Sequence, residues 1–378
     1  MKTNVTYYLF SLLTVIALLT ACTEDSTLPL YSQEKEEEGR VILSYTVSGS
    51  SIVSTRVEES KEEGNKVRNE NLVKDLDLFI FRNGMITTSK PLHFTPNKSD
   101  QQKGDYTPLE TGLAPDDFLN GDQVYLVANC HDVVSDVTTL EGLKAKTVSG
   151  LICNEEQDQF VMDGMVTVDA KMWTDKDLHI QIDLKRAAAK VRLHFASSTD
   201  WNQVSYRFCH YANTATVLEQ EETEEYTYVN SLSLMDYTTR GEELAKAVPI
   251  VENEMQCLVL YTYPNNWHDG NPDDDKLNVE PPINDGRETR ILLKAPYNEE
   301  LYYYDIPVNF RLPEKNDDKN IKFEDYKDLY RIQRNHIYDI TVTIDREGGI
   351  TEGEAKQPTL YYQVANYDEE EIDVPTFS

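Results

Sequence analysis

The chain has 378 residues, with 67 Asp and Glu against 36 Lys and Arg, a formal net charge of −31 at neutral pH. Coulomb repulsion of that size disfavours nucleic acid and anionic lipid as partners, because both select clustered cationic side chains. The balance of 39% hydrophobic to 27% charged residues suits a solvated protein working outside the cytoplasm.

Residues 1–22, MKTNVTYYLFSLLTVIALLTAC, combine a basic Lys2, an apolar run from Tyr7 to Leu19 and small residues before a Cys, the layout of a signal peptide. Leu19-Thr20-Ala21-Cys22 resembles a bacterial lipobox, which makes Cys22 the acylated first residue of the mature protein, anchored by chains such as palmitate. A cleaved secretory signal with a coincidental Cys is the alternative. Residues 23–39, with EKEEE at Glu34 to Glu38, read as a polar acidic tether. Nothing after residue 22 is apolar for long enough to span a bilayer.

The mature part is too long for one ordinary core, so two units are expected, at 40–177 and 178–378. In GRVILSYTVSGSSIVSTR, residues 39–56, the apolar positions Val41, Leu43, Tyr45 and Val47 recur every second residue, the period of a half-buried strand. Leu76–Phe81 (LDLFIF) and Gln123–Asn129 (QVYLVAN) are apolar on both faces and read as central strands. Asn97–Tyr106 between them has no period and reads as a loop, while Val133–Lys146 carries helical spacing.

Met172–Asp177 (MWTDKD) reads as a linker into HIQIDLKRAAAKVRLHF, His179–Phe195, where alternation resumes at Ile180, Ile182 and Leu184 and again at Val191, Leu193 and Phe195. Strands follow at Met255–Tyr263, Thr289–Leu293, Tyr302–Leu312, Tyr338–Ile344 and Leu360–Val364. In Tyr338–Ile344 the odd-even split is clean, with Tyr338, Ile340, Val342 and Ile344 on one face and Asp339, Thr341 and Thr343 on the other. The fold class is therefore all-β, a pair of sandwiches with few short helices.

No catalytic constellation appears. The seven His are scattered singly, without HExxH or a pair at helical ligand spacing, so no metal site and no cofactor are expected. There is no GxSxG and no P-loop, and DGNPDDDK at Asp269 to Lys276 lacks the spaced Gly and terminal Glu of a calcium loop. Cys130, Cys153, Cys209 and Cys257 are even in number and show no CxxC, which leaves open disulfides or buried thiols.

Four features stand in order: the lipobox, an alternating strand closed by an Arg, VKDLDLFIFRNG, and LKRAAAKV followed far downstream by RNHIYDITVTI. Together they resemble the fimbrillin family, subunits of type V pili on Bacteroidetes-type bacteria. The resemblance implies two tandem transthyretin-like β-sandwich domains, a non-enzymatic lipoprotein on the outer membrane, and a first strand removed by an Arg-specific surface protease. A strand from another pilin subunit then takes its place in the opened groove. Val41 to Gly49 match the strand to be lost and Arg56 matches the scissile residue. The C-terminal segment 367–377 would be the donor, with Ile372 and Val374 on one face. The scheme requires the first strand to lie in a cleft that another backbone can enter, not in mid-sheet with neighbours on both edges. A monomeric surface lipoprotein binding glycan or host protein is the other reading of the same pattern.

Overall fold

The computed structural model describes residues 39–48, 70–96, 107–150, 160–219, 234–237, 244–252, 255–266, 288–309 and 331–366. In chain order the first strands are β1 (Val41–Val47), β2 (Leu76–Arg82), β3 (Met85–Ile86), β4 (Leu92–Phe94), β5 (Thr107–Leu109) and β6 (Gln123–Ala128). Helices α1 (His131–Val134) and α2 (Leu140–Lys144) precede β7 (Thr147–Ser149), β8 (Met162–Thr167), β9 (Trp173–Thr174) and β10 (Asp177–Arg186).

All of these strands but β7 form one sheet in the order β3-β2-β6-β8-β10-β1-β5, with β4 also on β2 and β9 also on β10. The β8–β10 ladder involves only Asp163–Lys185 and Met162–Arg186. Both strands nevertheless contribute to one apolar cluster, in which Leu178, Ile180, Ile182 and Leu184 of β10 join Leu76, Leu78, Phe79 and Phe81 of β2. A close approach sets this geometry: a Cβ on Gly164 would stand 2.3 Å from the Asp183 carbonyl oxygen, so no larger residue fits there. Strand β10 keeps the period its sequence announces, with the even positions Leu178 to Leu184 buried and His179, Gln181 and Asp183 exposed.

Local chemistry explains the connections. Asn83 and Gly84 both have positive φ (52° and 76°), the two-residue turn that joins β2 to β3. The expected helix over Val133–Lys146 is instead two short pieces. The Thr139 hydroxyl caps the second by accepting from Gly142 N–H at 3.0 Å.

The second group comprises β11 (Ala189–Phe195), β12 (Ser205–Ala212), β13 (Thr214–Thr216), β14 (Leu234–Tyr237), β15 (Ala245–Lys246), β16 (Ile250–Glu252) and β17 (Met255–Thr262). It continues with β18 (Asn265–Asn266), β19 (Arg290–Tyr297), β20 (Glu300–Pro307), β21 (Arg331–Ile332), β22 (His336–Thr343) and β23 (Thr359–Asn366). Two sheets result, β16-β17-β11-β22-β23 and β14-β12-β19-β20, around a second apolar cluster of which Val191, Leu193, Ile291, Leu293, Ile340 and Val342 are members.

The expected boundary at 177/178 shifts. Asp177–Arg186 belongs to the first sheet, and only Ala187 and Ala188, both buried, separate it from β11. Met172–Asp177 is no linker: Trp173 pairs with Leu178 and Thr174 with Asp177 in a tight hairpin. The strand groups also share apolar surface, because Leu258 and Leu260 of β17 enter the second cluster while Cys257, Val259 and Tyr261 enter the first. Strand β7 of the first group pairs with β13 of the second.

Polar groups line this junction. Glu70 forms a 2.8 Å ion pair with Lys190 and accepts from the Tyr261 hydroxyl, all three buried. Burial alone would raise the Glu70 carboxyl, but Lys190, Tyr261 and the charge of Arg186 outweigh it and bring its pKa down to about 2. A depressed carboxyl contributes stability that is whole above its unfolded value near 4.5 and is lost as pH falls toward about 2. Glu70→Ala should strip Lys190 of this carboxylate and cost about 3–5 kcal/mol. Urea midpoints at pH 7 and pH 3 provide the check: the variant should be less stable at pH 7, with the gap to the parent narrower at pH 3.

Candidate functional site

Strand β1 carries the expected face. Leu43, Tyr45 and Val47 are buried in the first apolar cluster, and Val41, half-buried, packs against it. Parallel pairing with β10 runs the full length, from Val41–Leu178 to Val47–Leu184, so each of these side chains lies beside a buried aliphatic residue of β10.

The other edge of β1 is not empty. Strand β5 pairs with it antiparallel at Leu43–Leu109, Ser44–Pro108 and Tyr45–Thr107. The strand therefore has neighbours on both edges at three of its seven positions, the arrangement that the strand-exchange scheme was expected to exclude, so the scheme holds here only if β5 gives way. The cover is thin, since it spans three of seven positions and its central residue, Pro108, has no N–H to donate.

Both ends of β1 are latched. At the start, Asp177 accepts from Arg40 backbone N–H at 2.8 Å and from its guanidinium at 3.0 Å, and Leu178 N–H donates to the Arg40 carbonyl at 2.9 Å. The two Arg40 hydrogen bonds, backbone first, hold the exposed Asp177 carboxyl below its usual range. Gly39 just ahead has no room for a side chain, since a Cβ would meet the Lys176 carbonyl oxygen at 2.0 Å.

At the far end, Ser48 N–H donates to Leu184 O at 2.8 Å, and the Ser48 carbonyl accepts from the buried Arg186 guanidinium at 2.8 Å. The same guanidinium donates to the Glu70 carbonyl at 3.1 Å, to Asn335 Oδ1 at 3.3 Å and to Asn71 Oδ1. Asn335, from the second strand group, also reaches the Ser48 hydroxyl at 3.3 Å. Sequence reading gave Arg186 no role, because its partners are 115 to 149 residues away. The alternation at Ile180, Ile182 and Leu184, continued by two residues, marks it as inward-facing, and that was the available signal.

Arg56, Cys22, Cys153, Ile372 and Val374 lie outside the described residues. The segment 49–69 that carries Arg56 has both its flanks, Ser48 and Glu70, bonded to the one guanidinium of Arg186. Cys130, Cys209 and Cys257 are buried and not disulfide-bonded, which decides for thiols at these three positions. Burial first, then the charges of Asp77, Asp75 and Asp163, push the Cys130 thiol up and keep it protonated. Away from β1, the fold gathers Asp77, His93 and His131, three residues that the sequence keeps apart.

Because Arg186 holds both flanks, a cut between 49 and 69 should leave β1 in place. After limited proteolysis in dilute solution, with no competing strand present, the N-terminal fragment should co-elute with the rest on native size exclusion and separate in denaturant. In Arg186→Met, which leaves two carbonyls short of a donor at about 1–3 kcal/mol each, it should dissociate faster.

No family model matches the sequence. Among curated proteins, the chain is 25% identical over 318 residues to the major fimbrium tip subunit FimD of Porphyromonas gingivalis, covering 78% of this chain and 40% of FimD. The chain thus spans less than half the length of the relative it matches. Among solved structures, the tip fimbrial protein Mfa3 of Porphyromonas gingivalis aligns with a TM-score of 0.48 at 10% identity, over 86% of this chain and 99% of that one. The fimbrilin FimA of the same species aligns with a TM-score of 0.46 at 13% identity, over 86% of this chain and 97% of that one.

Proposed function

We propose that the chain is a member of the fimbrillins, a lipid-anchored, cell-surface fimbrial subunit that assembles by strand exchange, a reading supported by its similarity to the fimbrium tip subunit FimD. In this reading Cys22 carries the lipid, an Arg-specific protease cuts after Arg56, and the backbone of another subunit replaces β1. The protein performs no covalent chemistry itself. The driving force is apolar burial in the vacated groove together with a main-chain ladder along β10.

One observation carries the proposal: an N-terminal strand, joined to the body by a single segment that contains Arg56, plugs the first core with Leu43, Tyr45 and Val47. When β1 leaves, its neighbour β5 must move aside or re-pair with the incoming strand, a rearrangement limited to three residue pairs. The segment 367–377, with Ile372 and Val374, is the proposed donor, although Pro375 removes one ladder bond.

Purified mature protein treated with an Arg-specific protease should be cut after Arg56, with the fragment identified by mass spectrometry and still seated in dilute solution; on concentration a donor strand should displace it and a ladder should form on gels run without boiling. Deleting residues 367–378 should abolish the ladder while the midpoint of urea unfolding stays put. Arg56→Gln should block both cleavage and ladder. Cleavage without laddering would mark a monomeric surface binder instead.

A further inference from the structure

We propose that Asp77, His93 and His131 form a solvent-accessible site for a first-row divalent transition-metal ion, zinc by chemical preference. The inference is independent of strand exchange. The three residues arrive from different elements: Asp77 from β2, His93 from β4 directly opposite it, and His131 from the start of α1. Their ligand atoms all lie within 4.8 Å of one another.

The arrangement is convergent. Asp77 Oδ1 lies 2.8 Å from His131 Nδ1 and 3.3 Å from His93 Nδ1, with the two imidazole centroids 3.9 Å apart and tilted by 42°. Tetrahedral zinc with bonds of about 2.0–2.2 Å separates its ligand atoms by about 3.3 Å. His93 already stands at that spacing from Asp77, and His131 needs to withdraw by only about half an ångström. Two imidazoles and a carboxylate favour zinc and its neighbours over calcium or magnesium, which select all-oxygen sites.

Burial separates the anionic and neutral ligands. Asp77 is fully buried, and its Oδ2 has no hydrogen-bond partner among the described residues, whereas the His93 and His131 side chains are 38% and 39% exposed. A carboxylate so placed gains more from a cation than from two imidazole N–H groups, and the half-exposed rings leave an entry path and an open coordination position. The backbone N–H of His131 is hydrogen-bonded to Asp75, which fixes the start of α1 and with it one imidazole. No other group of three or more His, Cys, Asp or Glu among the described residues meets this spacing.

The test uses untagged mature protein, stripped with chelator and titrated with Zn²⁺, Co²⁺ and, as control, Ca²⁺. One equivalent of Zn²⁺ should bind and raise the melting temperature, Co²⁺ should develop the intense visible bands of a low-coordinate N/O site, and Ca²⁺ should do neither. The double variant His93→Gln/His131→Gln should keep the parent's far-UV circular dichroism, show no rise in melting temperature on adding Zn²⁺ and bind Zn²⁺ at least tenfold more weakly. Absence of stoichiometric Zn²⁺ binding by the parent, or equal binding by the double variant, overturns the assignment.

Discussion

The junction of this molecule depends on a buried guanidinium. Arg186 is 1% exposed, and a cation in that position is tolerated only when its N–H groups are matched and its charge is answered. Its bonds to Ser48 O, Glu70 O, Asn71 and Asn335 bring together the end of β1, the returning chain and a turn of the second strand group. The Glu70 carboxylate answers the charge while also serving Lys190 and Tyr261. One polar node therefore fixes the exit of β1, the register of β10 and the docking of β11 and β17. A second buried ion pair, Arg334 with Asp163, spans the same junction.

In the strand exchange proposed above, this node would act as a brake. An apolar strand contributes about 1.5–3 kcal/mol for each buried aliphatic side chain, so an incoming strand with the same spacing offers about the same gain as β1 itself. Exchange between equals has no direction. Cutting the covalent link supplies one, because a severed β1 that leaves is diluted into solvent, whereas a donor held in a growing polymer stays at high local concentration. The latches at Asp177 and Arg186 keep the plug seated meanwhile, and the short β5 ladder with Pro108 at its centre is the weakest part of the enclosure.

Much of the strand pattern was legible because period two survives any tertiary context that buries one face. Strand β10 and the Asn83-Gly84 hairpin follow directly from local rules, and β22 puts its apolar face in the core as its alternation implies, but Asp339 and Thr341 on its other face are buried too. What local rules missed is where polar residues alternate into a second buried face. Lys190, Arg192 and His194 alternate with the apolar Val191, Leu193 and Phe195, yet all three are buried and paired, Lys190 with Glu70 and the other two with Asp339. Burial pushes the Asp339 carboxyl up, but the bond from His194 and the charge of Arg192 outweigh it and leave the group lowered. The linker reading failed for a related reason: Asp175 takes a positive φ of 56° in a hairpin turn, and the real crossing is two alanines small enough to be buried. The Asp77, His93 and His131 grouping was invisible because cross-strand pairing, not sequence spacing, creates it.

The shared strand β17 sets the mechanical terms. Its Cys257, Val259 and Tyr261 complete the first core, while Leu258 and Leu260 fill the second, so neither core is closed by its own strands alone. If β1 were withdrawn from a free-standing sandwich, the two halves could collapse into the gap, and the cavity penalty would shrink as the walls relaxed. Here β10 is tied through Ala187 and Ala188 to β11, which ladders with both β17 and β22. The second strand group thus holds β10 at its original distance from β2 and β6. A groove kept open in this way would retain its full demand for an apolar strand, the condition that the proposed exchange needs if another subunit's backbone is to outcompete collapse.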